Sequence, residues 1–199
     1  MSGPEELKLY FDYKSPFAYL AAEPAFALPE RYHVTLRWIP FLLRIKGRGE
    51  RSVYSDWKAQ YSYQDARRFA NRRGGLTIKG PQKVYDSSPA LVGGLFAERE
   101  GIFRPYTERV YQRFFRRELE IDEPDAIARV LDELGASGEA YLRFRAGAGA
   151  AELERSIEEA HTDQIFGVPI FVFRGERFWG YDRMPLLEER LAAAGLARA

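Results

Sequence analysis

Apolar and polar residues alternate at the start of Leu7-Lys8-Leu9-Tyr10-Phe11-Asp12, a period of two that predicts a strand. Ser15-Pro16 follows, an N-cap residue with proline at the first helical position, the preferred opening of a helix. That helix is expected to run to about Leu28 and to bend near Pro24, because proline removes an interior hydrogen bond. His33-Val34-Thr35-Leu36-Arg37-Trp38-Ile39 alternates again and is rich in strand formers, so it reads as a second strand ended by Pro40. Together these elements make a β-α-β unit, which implies parallel strands and a right-handed crossover.

From about Arg51 to His161 the period changes to that of a helix. Ser55 to Arg73 predicts a helix closed by Gly74-Gly75, and Ser88-Pro89 repeats the serine-proline opening ahead of Ala90 to Glu100. Pro105 to Leu119 carries Tyr106, Val110, Tyr111, Phe114 and Phe115 at helical spacing; such a stripe reads as core before it reads as interface. Asp122-Glu123-Pro124 opens a helix with Ile127, Val130, Leu131 and Leu134 on one face. Gly138 to Arg145 and Ala150 to His161 complete the set.

Beyond the helical block the period returns to two. Pro169-Ile170-Phe171-Val172-Phe173 predicts a strand, Arg174-Gly175-Glu176 a tight turn, and Arg177-Phe178-Trp179-Gly180 the returning strand of a β-hairpin. Asp182 is then expected to cap a last helix carrying Met184, Leu187 and Leu191. The order β-α-β, helical block, β-β-α places residues 1–45 and 162–199 in one small α/β domain around a mixed sheet. Residues 46–161 form an all-helical insertion.

Composition narrows the function classes. Hydrophobic residues make up 46% of the 199 and aromatics 15%, enough for an ordinary buried core. Thirty basic residues against 29 acidic ones give a formal charge of +1, which offers no general field for nucleic acid or acidic membranes. No apolar run approaches the roughly 18 residues of a membrane span. The N-terminus, Met1-Ser2-Gly3-Pro4-Glu5-Glu6, lacks the basic and apolar regions of a signal peptide, so a cytoplasmic protein is expected. The absence of any cysteine removes disulfides and thiolate metal sites, and with only His33 and His161 no metal centre is expected.

Three local features carry candidate chemistry. Ser15 at a helix start has two readings: a plain N-cap, or a hydroxyl that donates to a bound thiolate at the positive end of the helix. Gly167-Val168-Pro169-Ile170 enters a strand, where proline is acceptable in either isomer. A cis Val168-Pro169 bond would present the Val168 backbone N–H and C=O to a peptide-like ligand, and the order of elements favours cis. At Gly180-Tyr181-Asp182-Arg183, backbone N–H groups with the Tyr181 and Asp182 side chains could grip an amino-acid head group.

These motifs resemble the thioredoxin-like family that joins 2-hydroxychromene-2-carboxylate isomerases with kappa-class glutathione transferases, relatives of DsbA. The resemblance spans essentially the whole chain. It rests on Phe11-Asp12-Tyr13-Lys14-Ser15-Pro16-Phe17-Ala18-Tyr19, on Gly167-Val168-Pro169-Ile170-Phe171-Val172, and on Phe178-Trp179-Gly180-Tyr181-Asp182-Arg183. It implies a thioredoxin-like fold with a helical insertion, bound glutathione, Ser15 facing the glutathione sulfur and a cis proline opposite. Many members are dimers, so a homodimer is open. Serine and Ala18 stand where the two cysteines of a thioredoxin-type turn would be, which rejects disulfide exchange by the chain itself.

The resemblance also carries Lys58, Tyr61 and Asp65 by spacing, with Lys58 pairing a glutathione carboxylate; a solvated helix lysine is the competing reading. Two departures fall on the acceptor side. The loop Arg44-Ile45-Lys46-Gly47-Arg48-Gly49-Glu50-Arg51 is basic where the family tends to have an asparagine, and Asp86-Ser87-Ser88 replaces an asparagine-serine pair. Arg44, Lys46, Arg48 and Arg51 then form either a solvated loop or a receptor for an acidic substrate.

The implied activity is isomerisation of an unsaturated aromatic α-keto acid by reversible addition of the glutathione thiolate. Rotation about the new single bond and elimination then return glutathione unchanged. The alternatives are glutathione conjugation of electrophiles and a non-catalytic thioredoxin-like module that binds a small acid or peptide in the same cleft.

Overall fold

The computed structural model describes residues 3–43 and 53–198. β1 (Glu5–Phe11) lies inside a four-stranded sheet of order β2-β1-β3-β4. It pairs in parallel with β2 (Val34–Pro40), Glu5 opposite Val34 and Phe11 opposite Pro40. On its other edge it pairs antiparallel with β3 (Ile170–Phe173), which in turn pairs with β4 (Glu176–Trp179). The expected β-α-β and β-β-α units therefore share one mixed sheet.

Alternation along β1 sends its side chains to two cores. Leu7, Leu9 and Phe11 join Phe171, Phe173 and Phe178 on one face, while Tyr10 joins Ile39, Ile170, Val172 and Ala160 on the other. With both faces covered, β3 is a continuous apolar run, Ile170-Phe171-Val172-Phe173, buried throughout. The hairpin differs slightly from its expected form. Arg174 and Gly175, at φ 50° and 81°, make a two-residue turn, so Glu176 already pairs with Phe173. Positive φ at both turn residues matches the strand twist better than a three-residue loop does.

The first helix is two pieces. α1 (Pro16–Phe26) retains Pro24 in its last turn, and the chain breaks at Ala27 before a short α2 (Leu28–Arg31). Pro24 has no N–H for the carbonyl of Leu20, four residues earlier. Arg73 Nη1 supplies the missing donor at 2.9 Å, from the end of α3 (Val53–Arg73). The expected weakness of α1 is thus met by a long-range contact.

α4 (Ser88–Arg99), α5 (Phe103–Arg116), α6 (Pro124–Glu133), α7 (Gly138–Ala146) and α8 (Ala148–Thr162) complete the central block, and α9 (Met184–Ala193) closes the chain. The aromatic stripe of α5 is core: Tyr106, Tyr111 and Phe115 are fully buried. It continues the sheet's own core, since Phe11 meets Tyr13 edge to face at 5.3 Å and Tyr13 meets Tyr106 at 5.9 Å. One apolar cluster thereby runs from β1 through α1 into the central helices.

The other sheet face is tied to α8 by charge. Lys8 Nζ donates to Asp163 Oδ2 at 2.7 Å and pairs with Glu159 at 2.9 Å, and Tyr10 Oη donates to the same Asp163 oxygen at 2.6 Å. Burial raises the Asp163 pKa, but hydrogen bonds from Lys8 and Tyr10 outweigh it and hold the group below its ordinary value of 3.8. A carboxyl whose folded pKa is depressed stabilises the fold above the unfolded value and loses that contribution as pH falls through the folded one. Asp163→Asn should therefore lower unfolding free energy at pH 7 by about 1–2 kcal/mol. The gap between the two proteins should begin to narrow below about pH 4 and keep narrowing as pH falls further, and urea melts at pH 7 and across the acid range check it.

Candidate active site

Ser15 is placed by the strand-to-helix turn. Its backbone is extended (φ −87°, ψ 116°), and its hydroxyl oxygen accepts from the Ala18 N–H at 3.2 Å, which makes it the N-cap of α1. The same hydroxyl donates across the cleft to the carbonyl of Val168, also at 3.2 Å. Val168-Pro169 is a cis bond. No group among the described residues accepts from the Val168 N–H. The N-cap reading of Ser15 is thereby met, and the same hydroxyl faces the cis-proline turn across the cleft.

Around this pair opens a cavity of about 1190 Å³, larger than the roughly 300–1,000 Å³ of an ordinary small-ligand pocket. Lys14, Ser15, Pro16 and Phe17 form its floor, α3 contributes Lys58, Tyr61 and Tyr63, and the segment before α4 contributes Lys83 and Tyr85. Phe166 and Trp179 close the remaining side, their rings edge to face at 4.9 Å. Gly167 lets the Trp179 indole lie against the backbone: a Cβ there would sit 3.0 Å from Nε1. Both aromatic residues are about half exposed or more, so this side of the cavity is apolar and open to solvent.

Beneath Ser15 lies a buried polar cluster. Asp12, fully buried, accepts from the N–H groups of Lys14 (3.1 Å) and Leu43 (2.8 Å). The Lys14 ammonium stands 3.8 Å from Asp12 Oδ2 and donates to the carbonyl of Tyr85 at 3.1 Å. Burial pushes the Asp12 carboxyl above its ordinary range, and the ammonium of Lys14 opposes the rise most strongly. The Ser87 hydroxyl also draws the value down, although its geometry falls short of a hydrogen bond and leaves Oγ without a partner.

The structure brings Ser15, Val168, Lys58 and Asp182 into the lining of one cavity. Pro169 and Tyr181 stand behind it. The Pro169 carbonyl accepts from the Gly180 N–H at 2.9 Å, and Tyr181 packs edge to face on Phe69 at 5.6 Å. Tyr61 lines the cavity beside Lys58, whereas Asp65 turns away to pair with Arg68 at 3.0 Å. The expected cap by Asp182 does not form. Residues Tyr181–Arg183 make a 3₁₀ turn, α9 begins at Met184 with no side-chain cap, and Asp182 pairs with Arg183 at 2.6 Å. Proline at the start of α9 needs no N–H acceptor, which reduces the need for a capping carboxylate. The basic loop with Arg44, Lys46, Arg48 and Arg51 lies outside the described residues.

Pattern reasoning missed Lys14, Tyr85, Phe166 and Trp179 as wall residues. Lys14 stands inside the first motif, and Phe166 and Trp179 each precede a glycine of the other two, so adjacency to a motif was the available signal. Among the described residues no group of three or more His, Cys, Asp or Glu could hold a metal ion. Nor is any helix among them long and apolar enough to cross a membrane.

The DSBA-like thioredoxin domain matches residues 6–192. The chain belongs to the DsbA-like thioredoxin family. Within that family, a 2-hydroxychromene-2-carboxylate isomerase of Pseudomonas putida is 28% identical over 192 residues, covering 92% of each chain. A solved structure of 2-hydroxychromene-2-carboxylate isomerase superposes with a TM-score of 0.78 at 25% identity, over 95% of both chains. Cytosolic disulfide reductase DsbM from Pseudomonas aeruginosa, solved with GSH, matches at 20% identity and a TM-score of 0.63, over 94% of this chain and 99% of that one. At that identity the DsbM likeness shows the DsbA-like fold alone, and this chain contains no cysteine.

Proposed function

We propose that the protein is a glutathione-dependent isomerase of the 2-hydroxychromene-2-carboxylate isomerase type, acting on an unsaturated aromatic α-keto acid. The observation that carries this reading is Ser15: a hydroxyl at a helix N-terminus, in the wall of a large open cavity, in a chain without thiols. The relatives that bear the isomerase name match nearly end to end, which supports the reaction class.

The residues present fit glutathione. The Val168 N–H, for which no described residue is an acceptor, would offer a peptide-like ligand a backbone contact beside the cis proline, and Lys58 and Asp182, which line the same cavity as Ser15, would offer charge for its termini. When bound, glutathione would supply a thiol whose anion adds reversibly to the unsaturated acid. The chain's own work is then positional and electrostatic. Ser15 would turn its O–H from Val168 toward the sulfur, and the amide dipoles of α1 would add to the pull on the anion. Phe166 and Trp179 would receive the aromatic ring of the acid at the mouth.

The expected result is conversion of 2-hydroxychromene-2-carboxylate to its equilibrium mixture of isomers, through many turnovers per glutathione, with glutathione present in amounts far below the substrate and recovered unchanged. Consumption of glutathione in step with an electrophile such as a chlorinated aromatic would instead favour the transferase. No thermal stabilisation by millimolar glutathione would remove the cofactor from the account.

A further inference from the structure

The cavity wall carries four cations, and three of them have evident roles. Lys83 is held by Glu120 and Asp122 at 2.8 and 2.9 Å, and Arg183 by Asp182 at 2.6 Å. Lys58 is exposed on α3, where the proposed function assigns it to a glutathione carboxylate. Lys14 is different: it is 8% exposed, lies next to Ser15, and has no part in the glutathione contacts proposed above.

Its placement runs against the local electrostatics. The residue before an N-cap is a poor place for a cation, because the adjoining helix end is already positive. Its ammonium has three N–H donors, of which one reaches the Tyr85 carbonyl. Asp12 balances the charge from 3.8 Å, beyond hydrogen-bond reach, so it neutralises without occupying a second donor. A buried pair of this kind is often no more stable than apolar residues of the same volume. The fold tolerates a cation here at some cost, which an anion entering the cavity beside Ser15 would offset.

We propose that Lys14 is the receptor for the carboxylate of the keto-acid substrate, with Asp12 holding the ammonium in place. This rests on the isomerase reading and adds to it a binding residue on the acceptor side, close to the hydroxyl that faces the sulfur. An uncharged ketone of the same shape offers Lys14 only a neutral carbonyl, a weaker partner than a carboxylate, so the residue favours acids over ketones.

Calorimetric titration with benzylpyruvate, a keto acid without the conjugated double bond that the thiolate would attack, and with benzylacetone, which lacks its carboxylate, separates the roles. With glutathione present, the wild-type protein should prefer the acid. Lys14→Met should lose about 10- to 100-fold in affinity for benzylpyruvate, the value of one charge-assisted hydrogen bond. Its affinity for benzylacetone and for glutathione should be unchanged. Should Lys14→Met fail to fold around an unpaired Asp12, Asp12→Asn/Lys14→Met removes both charges and should show the same loss. Equal binding of benzylpyruvate by the wild type and either folded variant overturns the proposal, as does a wild type that does not prefer the acid. Absence of glutathione binding in the wild type strikes the isomerase reading instead; the benzylpyruvate titration without glutathione then still tests Lys14.

Discussion

Ser15→Ala should keep the fold and lose most turnover. The structural cost is that of an N-cap, about 1 kcal/mol, because Ala18 loses its acceptor while the proline at the helix start remains. The catalytic cost is larger. If the hydroxyl and the helix end together lower the bound thiol pKa by about two units, the anion gains roughly 2.7 kcal/mol. Loss of the full amount would slow the reaction about 100-fold. The two effects are separable, since a urea melt reads the first and initial rates at saturating glutathione read the second. Wild-type rates in Ser15→Ala would remove the hydroxyl from the mechanism.

Asp12→Ala should be the most destabilising substitution at the site. It would strip the acceptor from the Leu43 and Lys14 N–H groups and leave the Lys14 ammonium buried without its counter-charge. Removing one partner of a buried pair costs about 3–5 kcal/mol, whereas removing both costs much less. Asp12→Ala/Lys14→Met should therefore recover part of the loss. Urea midpoints for the two single variants and the double variant give the coupling, and additive losses would mean that the 3.8 Å contact contributes nothing.

Much of this fold could be read from local pattern. The alternation of Leu7 to Phe11 and the serine-proline opening at Ser15 placed the strand-to-helix turn, because both signals lie within a few residues of what they determine. The α5 stripe declared its burial by spacing alone. What escaped was long-range or decided by competition between neighbours. Arg73 repairs the helix around Pro24 from some fifty residues away (53 in sequence), and no local rule points to it. Asp182 resembled a cap until the chain formed a 3₁₀ turn there and gave the carboxylate to Arg183. Lys14 looked like one charged position in a motif; only the packing of Tyr85 and Asp12 around it shows that its ammonium is buried. Phe166 and Trp179 became a pair only once the hairpin brought them together.

The most direct measurement is the ultraviolet absorbance of the thiolate in bound glutathione, titrated with pH in the wild-type protein and in Ser15→Ala. The account predicts a thiol pKa well below that of free glutathione in the wild type, rising toward the free value when the hydroxyl is removed. A bound thiol that titrates like free glutathione, or the same depressed value in both proteins, would contradict it.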